Sequence, residues 1–178
     1  VELFVYGRDA GESMAGYPAR QTRLASESVA RGHGLDPARS VFIRQSRAAI
    51  DAGAFHNDVV SVGALDTLFF HELAFEDTEA ALSDIRTAAE GVFDFKPVMV
   101  PAEEVPIEDA IRAYLFNSQL LKMPGEDRLV LVAPTETEET DSTRAYCERL
   151  VSSNGPIGQV IYADVRQSMR NGGGPACL

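Results

Sequence analysis

The chain has 178 residues, 45% of them hydrophobic, which is enough for one domain with a sizeable buried core. Its 27 acidic and 16 basic residues give a net charge of -11, and this excess of carboxylates argues against nucleic acid or an anionic membrane as a partner. No apolar stretch approaches the ~18 residues that a membrane helix needs, and the first residues lack a signal-peptide pattern, so we expect a cytoplasmic protein.

The hydrophobic pattern predicts strands and helices along the whole chain. In chain order, the predicted elements are a strand at 1–6, a helix from Pro18 to Arg31, strands at 40–44, 58–63 and 66–71, a helix from Asp77 to Glu90, strands at 97–100, 115–121 and 128–133, a helix from about Glu139 to Ser152, and a strand at 158–163. Pro18 suits the first turn of the first helix, and Gly32 and Gly34 suit its end.

The order strand, strand, helix, strand occurs twice, with a period of about 60 residues measured from Asn57 to Asn117. We therefore predict an α/β fold of repeated ββαβ modules: a partial module at 1–45, modules at 55–101 and 114–164, and the start of another at 169–178. Each module would leave an apolar face that a neighbouring module must cover. We accordingly expect a single partial domain, a fragment at both ends, that holds about three modules of a larger closed structure.

Two short polar segments place histidines beside carboxylates. If residues 56–58 begin a strand, His56 and Asp58 point to the same face, because strand side chains alternate with a period of two. His71 and Glu72 end the partner strand of the hairpin, so the four side chains could form a divalent-metal site, although none of the well-attested metal-ligand spacings is present. A hydrogen-bonded structural role is the alternative for His56.

The chain contains two cysteines, too few for a disulfide framework, and neither lies in a Cys-x-x-Cys pair. Cys177 follows a run of three glycines, which lets the backbone approach a ligand closely, so it is a candidate nucleophile. The alternative is a glycine-rich tail that carries an incidental thiol. Cys147 falls within a predicted helix beside apolar residues, where a cysteine is most often an inert small hydrophobe.

Four segments together resemble the N-succinylarginine dihydrolase family over the whole chain: YPARQT at 17–22, HNDVV at 56–60, FNSQLL at 116–121 and MRNGGGPACL at 169–178. The family belongs to the superfamily of enzymes that modify guanidino groups. The resemblance implies the pentein fold, an α/β propeller of five ββαβ modules around a central active site, which agrees with the repeat. Because full-length members are more than twice as long, it implies that about three of the five modules lie here.

The resemblance also implies roles for five residues. Cys177 matches the nucleophile of the family and His56 matches its catalytic histidine, whereas Arg20, Asp58 and Asn171 match substrate-binding positions. The catalytic glutamate of the family corresponds to a position upstream of this chain.

The implied reaction converts N2-succinyl-L-arginine to N2-succinyl-L-ornithine, ammonia and carbon dioxide through a covalent cysteine intermediate, in the succinyltransferase pathway of arginine catabolism. The resemblance also implies a small-molecule substrate, neither metal nor organic cofactor, and a homodimer for the full-length enzyme. Arg20 could hold a substrate carboxylate and Asp58 could accept hydrogen bonds from the guanidinium. Two alternatives stay open: a metal-dependent hydrolase using His56, Asp58, His71 and Glu72, and a non-catalytic fragment that needs its missing modules.

Overall fold

The computed structural model describes residues 1–12 and 16–170, and this part of the chain forms two compact units. The first unit comprises Val1–Asn57 with Glu72–Phe95, and the second comprises Asp58–His71 with the chain from Lys96 onward. Each unit has its own strands, helices and buried side chains.

The first unit is built on two parallel strands, β1 (Glu2–Tyr6) and β2 (Ser40–Arg44), which are connected through helix α1 (Arg23–Gly32). The helix begins after Thr22, whose hydroxyl oxygen accepts a hydrogen bond from an N–H of the first turn at 3.1 Å. The helix ends at Gly32, and two residues later Gly34 has a φ of +62°, a left-handed conformation that glycine adopts without steric cost.

Two further helices belong to the first unit. Helix α2 (Arg47–Asp51) follows β2, and helix α3 (Thr78–Ala89) begins after Asp77, whose carboxylate accepts a hydrogen bond from the Ala80 N–H at 2.9 Å. Helix α3 packs against β2. Its buried side chains are Ala81, Ile85, Ala88 and Ala89. These small and branched residues recur at helical spacing, which explains why the sequence predicts this helix well.

The second unit contains two three-stranded sheets with the same topology. The strands are β3 (Ser61–Ala64), β4 (Thr67–His71) and β5 (Lys96–Val100) in one sheet, and β6 (Gln119–Leu121), β7 (Leu129–Pro134) and β8 (Ile157–Ala163) in the other. In each sheet, the middle strand pairs antiparallel with the first strand and parallel with the third.

The order of helices along the chain completes the repeat. Helix α3 separates β4 from β5, and α4 (Ile107–Arg112) precedes β6. Helices α5 (Thr135–Glu139) and α6 (Asp141–Ser152) separate β7 from β8, and α7 (Arg166–Met169) follows β8. The predicted ββαβ order therefore occurs twice along the chain. Closure of such modules into a ring stays a prediction.

One hydrophobic core holds the second unit together. Side chains from both of its sheets contribute to it, and Phe69, Val100, Leu131 and Ile157 are each completely buried. Tyr146, Cys147 and Leu150 of helix α6 belong to the same core. Burying one large apolar side chain contributes roughly 1.5–3 kcal/mol, so this core is a major source of the stability of the second unit.

The first predicted helix starts later than its proline suggests. It was expected from Pro18 but begins at Arg23. Residues 19–22 run beside β1 instead, where the Gly7 N–H donates to the Gln21 carbonyl at 3.0 Å. A long-range main-chain contact therefore overrides the local signal of a proline.

Two predicted strand starts are also wrong. Residues Asn57–Val59 form a single 3-10 turn, so the alternation that was expected to put His56 and Asp58 on one strand face does not apply. Of residues 115–121, only Gln119–Leu121 form a strand. The preceding residues turn, and the Ser118 hydroxyl donates to the main-chain carbonyl three residues earlier at 2.9 Å. Asparagine and serine favour such local hydrogen bonds over a strand.

The helices among the described residues are short, the longest having 12 residues. Helices α2, α4, α5 and α7 are absent from the predicted elements, because one or two turns carry too few residues for a hydrophobic period to emerge. Across residues 1–12 and 16–170, no helix combines the length and the apolar composition that spanning a bilayer requires.

Candidate active site

Arg20 and His56 belong to two segments of the first unit that a main-chain hydrogen bond joins. The Arg20 N–H donates to the carbonyl of Phe55, the residue before His56, at 2.9 Å. Two of the five predicted site residues therefore lie in neighbouring segments of one compact unit, although 36 positions separate them in the sequence.

A close backbone contact fixes the segment that carries Arg20. Ala19 is 2% exposed, and a Cβ atom added at Gly7 would lie only 2.3 Å from the Ala19 Cβ. The Arg8 guanidinium donates to the Ala19 carbonyl at 3.2 Å. The chain can approach β1 this closely only because residue 7 has no side chain.

A buried glutamine fixes the segment that carries His56. Gln45 is 3% exposed, and its Nε2 donates to the carbonyl of Ala54 at 2.6 Å. Its own N–H donates to the Tyr6 carbonyl at 2.7 Å, which ties it to the end of β1. The turn before Ala54 depends on Gly53, whose φ of +111° disfavours any residue with a Cβ atom.

Burial and charge both affect the His56 imidazole. Desolvation is the larger cause that lowers its pKa below the usual value of a histidine, and the positive charge of Arg20 is the second. The ring also packs edge to face on Phe55, with 4.6 Å between the ring centroids. His56 is therefore predominantly neutral at neutral pH in the absence of substrate.

The second unit carries polar side chains where the first strand of each sheet begins. Asp58 lies in the 3-10 turn before β3, Ser61 is the first residue of β3, and Asn117 lies two residues before β6. The strands β3 and β6 lie against each other although they belong to different sheets.

Two of these polar groups are buried without a hydrogen bond. Ser61 is 2% exposed and Asn117 is 7% exposed. The Ser61 hydroxyl and the Asn117 Oδ1 atom have no hydrogen-bond partner among residues 1–12 and 16–170. Such exceptions are uncommon, since an unpaired buried polar group costs about 1–3 kcal/mol. Within the described part of the chain, no hydrogen bond accounts for the burial of either group.

The metal site predicted from the sequence is not found among residues 1–12 and 16–170. His71 is completely buried, and its Nε2 atom lies 2.9 Å from the Val105 carbonyl oxygen, as expected for a structural histidine. Within the described part of the chain, no group of three or more His, Cys, Asp or Glu side chains could hold a metal ion. The contact of His71 within the second unit therefore gives no support to its predicted role as a metal ligand.

The two cysteines of the chain are Cys147 and Cys177. Cys147 is 1% exposed, and burial raises the pKa of its thiol to about 11, so it stays protonated and unreactive, as the sequence predicts. Cys177 and Asn171, the predicted nucleophile and one predicted substrate ligand, lie outside the described residues. Their roles stay predictions.

Sequence reasoning missed Gln45 altogether. It follows a predicted strand directly and belongs to no recognised motif, so nothing local distinguishes it from a surface residue. Its hydrogen bond becomes visible only when the fold has brought Ala54 beside the end of β2. Asn117 marks the repeat in the sequence, but no sequence pattern predicts its burial.

Comparisons with known proteins find similarity to an enzyme family. A family model described as succinylarginine dihydrolase matches residues 1–178. N-succinylarginine dihydrolase 2 of Caulobacter vibrioides is 56% identical over 179 residues, and N-succinylarginine dihydrolase of Sphingopyxis alaskensis is 52% identical over 178 residues. Each match covers all of this chain but only 40% and 41%, respectively, of the relative. The chain thus spans about two fifths of the length of these curated relatives.

One solved structure, agmatine deiminase of C. jejuni, is also similar. The match covers 89% of this chain and 46% of that chain, with 12% sequence identity and a TM-score of 0.39.

Proposed function

Because the chain belongs to the succinylarginine dihydrolase family, we propose that the protein containing it hydrolyses N-succinylarginine. The products are N-succinylornithine, two molecules of ammonia and carbon dioxide, and two molecules of water are consumed. The observation that carries the proposal is the family match over residues 1–178, supported by relatives more than half identical to the chain. The proximity of the segments that carry Arg20 and His56 is consistent with it.

The first half of the proposed reaction removes one nitrogen from the guanidinium. His56, neutral before substrate binds, takes the proton of the Cys177 thiol as the sulfur bonds to the guanidinium carbon. His56 then returns the proton to the departing nitrogen, ammonia leaves, and a thiouronium remains on the sulfur. Water, deprotonated by His56, attacks the same carbon, and the C–S bond breaks to leave a ureido group.

The second half repeats these steps on the ureido carbon. The sulfur adds, the second ammonia leaves, and a thiocarbamate remains on Cys177. Water then cleaves the C–S bond, and the carbamate so formed loses carbon dioxide to leave the amine of N-succinylornithine. Neither a metal nor an organic cofactor is required for these steps.

The substrate carries both charges that the predicted binding residues would recognise. Arg20 would hold a carboxylate through two parallel N–H donors, since a guanidinium matches a carboxylate in this geometry. Asp58 would accept hydrogen bonds from the guanidinium of the substrate. Asn171 would contribute a third contact, and the chain would act on a small molecule in a homodimeric enzyme.

The proposed fold of the whole protein is the pentein propeller. Two ββαβ repeats along the chain support it. In this proposal, the chain contains a partial module at 1–45, modules at 55–101 and 114–164, and the start of a further module at 169–178. The rest of the propeller would come from the additional length that the relatives have.

A chimera tests the proposed function directly. This chain replaces the matching segment of the Caulobacter vibrioides relative, and the purified chimera is incubated with N-succinylarginine. We expect two molecules of ammonia for each N-succinylornithine that mass spectrometry detects. Cys177→Ala is the blank, and dialysis against EDTA should leave the rate unchanged. Ammonia release no faster than the blank would refute the function, and loss of activity after EDTA would favour the metal-dependent alternative.

A further inference from the structure

The three residues before His56 are held by consecutive main-chain hydrogen bonds. The Ala54 N–H donates to the Ala49 carbonyl at 2.9 Å, and the Phe55 N–H donates to the Gly53 carbonyl at 3.0 Å. The Phe55 carbonyl is in turn bound by the Arg20 N–H. The side chain of Gln45 adds a further hydrogen bond, because its Nε2 atom donates to the Ala54 carbonyl.

Gln45 is held through both its side chain and its main chain. It is 3% exposed, Ala54 is completely buried, and the hydrogen bond between them is 2.6 Å long. Its main chain is held at the end of β1 by the Tyr6 carbonyl, and the following residue, Ser46, donates its N–H to the Ala74 carbonyl at 2.9 Å. Main-chain hydrogen bonds to Tyr6 and Ala74 therefore fix the segment whose Gln45 side chain donates to Ala54.

Without that donor, the Ala54 carbonyl would be buried and would lose this hydrogen bond. Leaving a buried acceptor unpaired is unfavourable enough that a loop moves to restore a partner or to reach water. Because Ala54 lies two residues before His56, such a movement would shift the imidazole and also the Phe55 carbonyl to which Arg20 is bound. Small displacements of this kind strongly affect catalysis, since about 1 Å can cost on the order of 100-fold in rate.

We infer that Gln45 is a positioning residue, which sets the place of the His56 imidazole and of Arg20 through its hydrogen bond to the Ala54 carbonyl. The inference deepens the proposed function, because it assigns a residue to the same site. It rests on that proposal only for the catalytic consequence, since the effect on the surroundings of His56 can be measured without turnover.

The experiment compares two variants that each lose the hydrogen bonding of one buried side chain. Gln45→Met keeps the approximate shape of the side chain and removes the donor. Thr143→Val is the matched control, because Thr143 is completely buried and its hydroxyl donates to the Thr137 carbonyl, also at 2.6 Å, in the second unit. Gln45→Leu, which also has no donor, is a second test variant if Gln45→Met fails to fold.

The first measurement needs no activity. Diethyl pyrocarbonate modifies neutral imidazoles, so the pH dependence of its reaction with His56, followed on the His56 peptide by mass spectrometry, reports the pKa of that histidine in the chimera. We expect this pKa to rise toward the ordinary value in Gln45→Met, because a displaced imidazole regains water, and to stay unchanged in Thr143→Val. Equal behaviour of the two variants would overturn the inference.

The second measurement is kinetic. In the chimera, we expect kcat for N-succinylarginine to fall about 10- to 100-fold in Gln45→Met, and to stay within about threefold in Thr143→Val despite a similar loss of thermal stability. A fall in both variants would mean that Gln45 supports only the fold. If the parent chimera is inactive, the proposed function fails, while the modification experiment still decides the role of Gln45.

Discussion

Replacing Gly7 by alanine tests whether the close contact with Ala19 controls the position of Arg20. The new methyl group would lie 2.3 Å from the Ala19 Cβ, whereas carbon atoms in contact are ordinarily about 3.5–4.0 Å apart. The segment that carries Arg20 must therefore move by more than about 1 Å. Overpacking of this kind costs about 1–3 kcal/mol, which corresponds to a melting temperature lower by about 2–12 °C for a chain of this size.

Gly32→Ala is the matched control for this substitution. Gly32 is the last residue of α1, and no heavy atom lies within 4 Å of a Cβ built there, so alanine should leave stability unchanged or raise it. Both variants are melted under circular dichroism, and the KM of each chimera for N-succinylarginine is measured. We expect KM to rise only in Gly7→Ala. Equal melting temperatures in the two glycine variants would refute the steric argument, because the chain would then accommodate the added methyl group without loss of stability.

Three further predictions concern the predicted site residues. Arg20→Lys in the chimera should raise KM, because lysine keeps the charge but loses the paired donors that fit a carboxylate, and an unchanged KM would remove Arg20 from substrate binding. The folded chain lowers the pKa of His56, so the unfolded chain binds more protons near pH 6. The contribution of His56 to the free energy of unfolding is therefore fully present above the unfolded pKa of about 6.5, and it falls as the pH drops through that value. Melting curves from about pH 5 to 8 should therefore show a shallower dependence in His56→Gln than in the parent, and identical slopes would contradict the shift. The isolated 178-residue chain should release little ammonia from N-succinylarginine, because the resemblance puts the catalytic glutamate outside it; turnover near the ~10 s⁻¹ of ordinary enzymes would show that the outside residues are dispensable.

The elements that sequence patterns predict best are those whose own residues carry the pattern. Strands β4 and β7 are continuous apolar runs, and α3 has alanine, leucine and isoleucine at helical spacing, so each lies within one or two residues of its prediction. The helix predicted from Pro18 and the strand predicted through Asp58 failed for the opposite reason. Contacts with distant segments, or a preference for tight turns, decided those conformations, and neither leaves a periodic signal.

The candidate site shows the same division between local and distant information. Arg20 and His56 could be predicted from short motifs, because each motif consists of consecutive residues that the sequence shows directly. The contact between their segments could not, since it depends on the missing side chain of Gly7 and on the hydrogen bond from Gln45 to Ala54. A glycine and a glutamine outside any motif carry no local sign of such a role. Their importance follows only from which segments the fold brings together.

The surroundings of His56 also bear on the order of proton transfers in the proposed reaction. A cysteine thiol is mainly protonated at neutral pH, and burial makes its ionisation harder, since desolvation is the largest cause that raises the pKa of Cys147. A protonated His56 could lower the pKa of Cys177 only through its charge, whereas a neutral His56 can take the thiol proton itself. Because burial and Arg20 both favour the neutral imidazole, His56 is suited to act first as a base. The imidazolium formed in that step is then the acid that the departing nitrogen needs, so one side chain can serve both transfers.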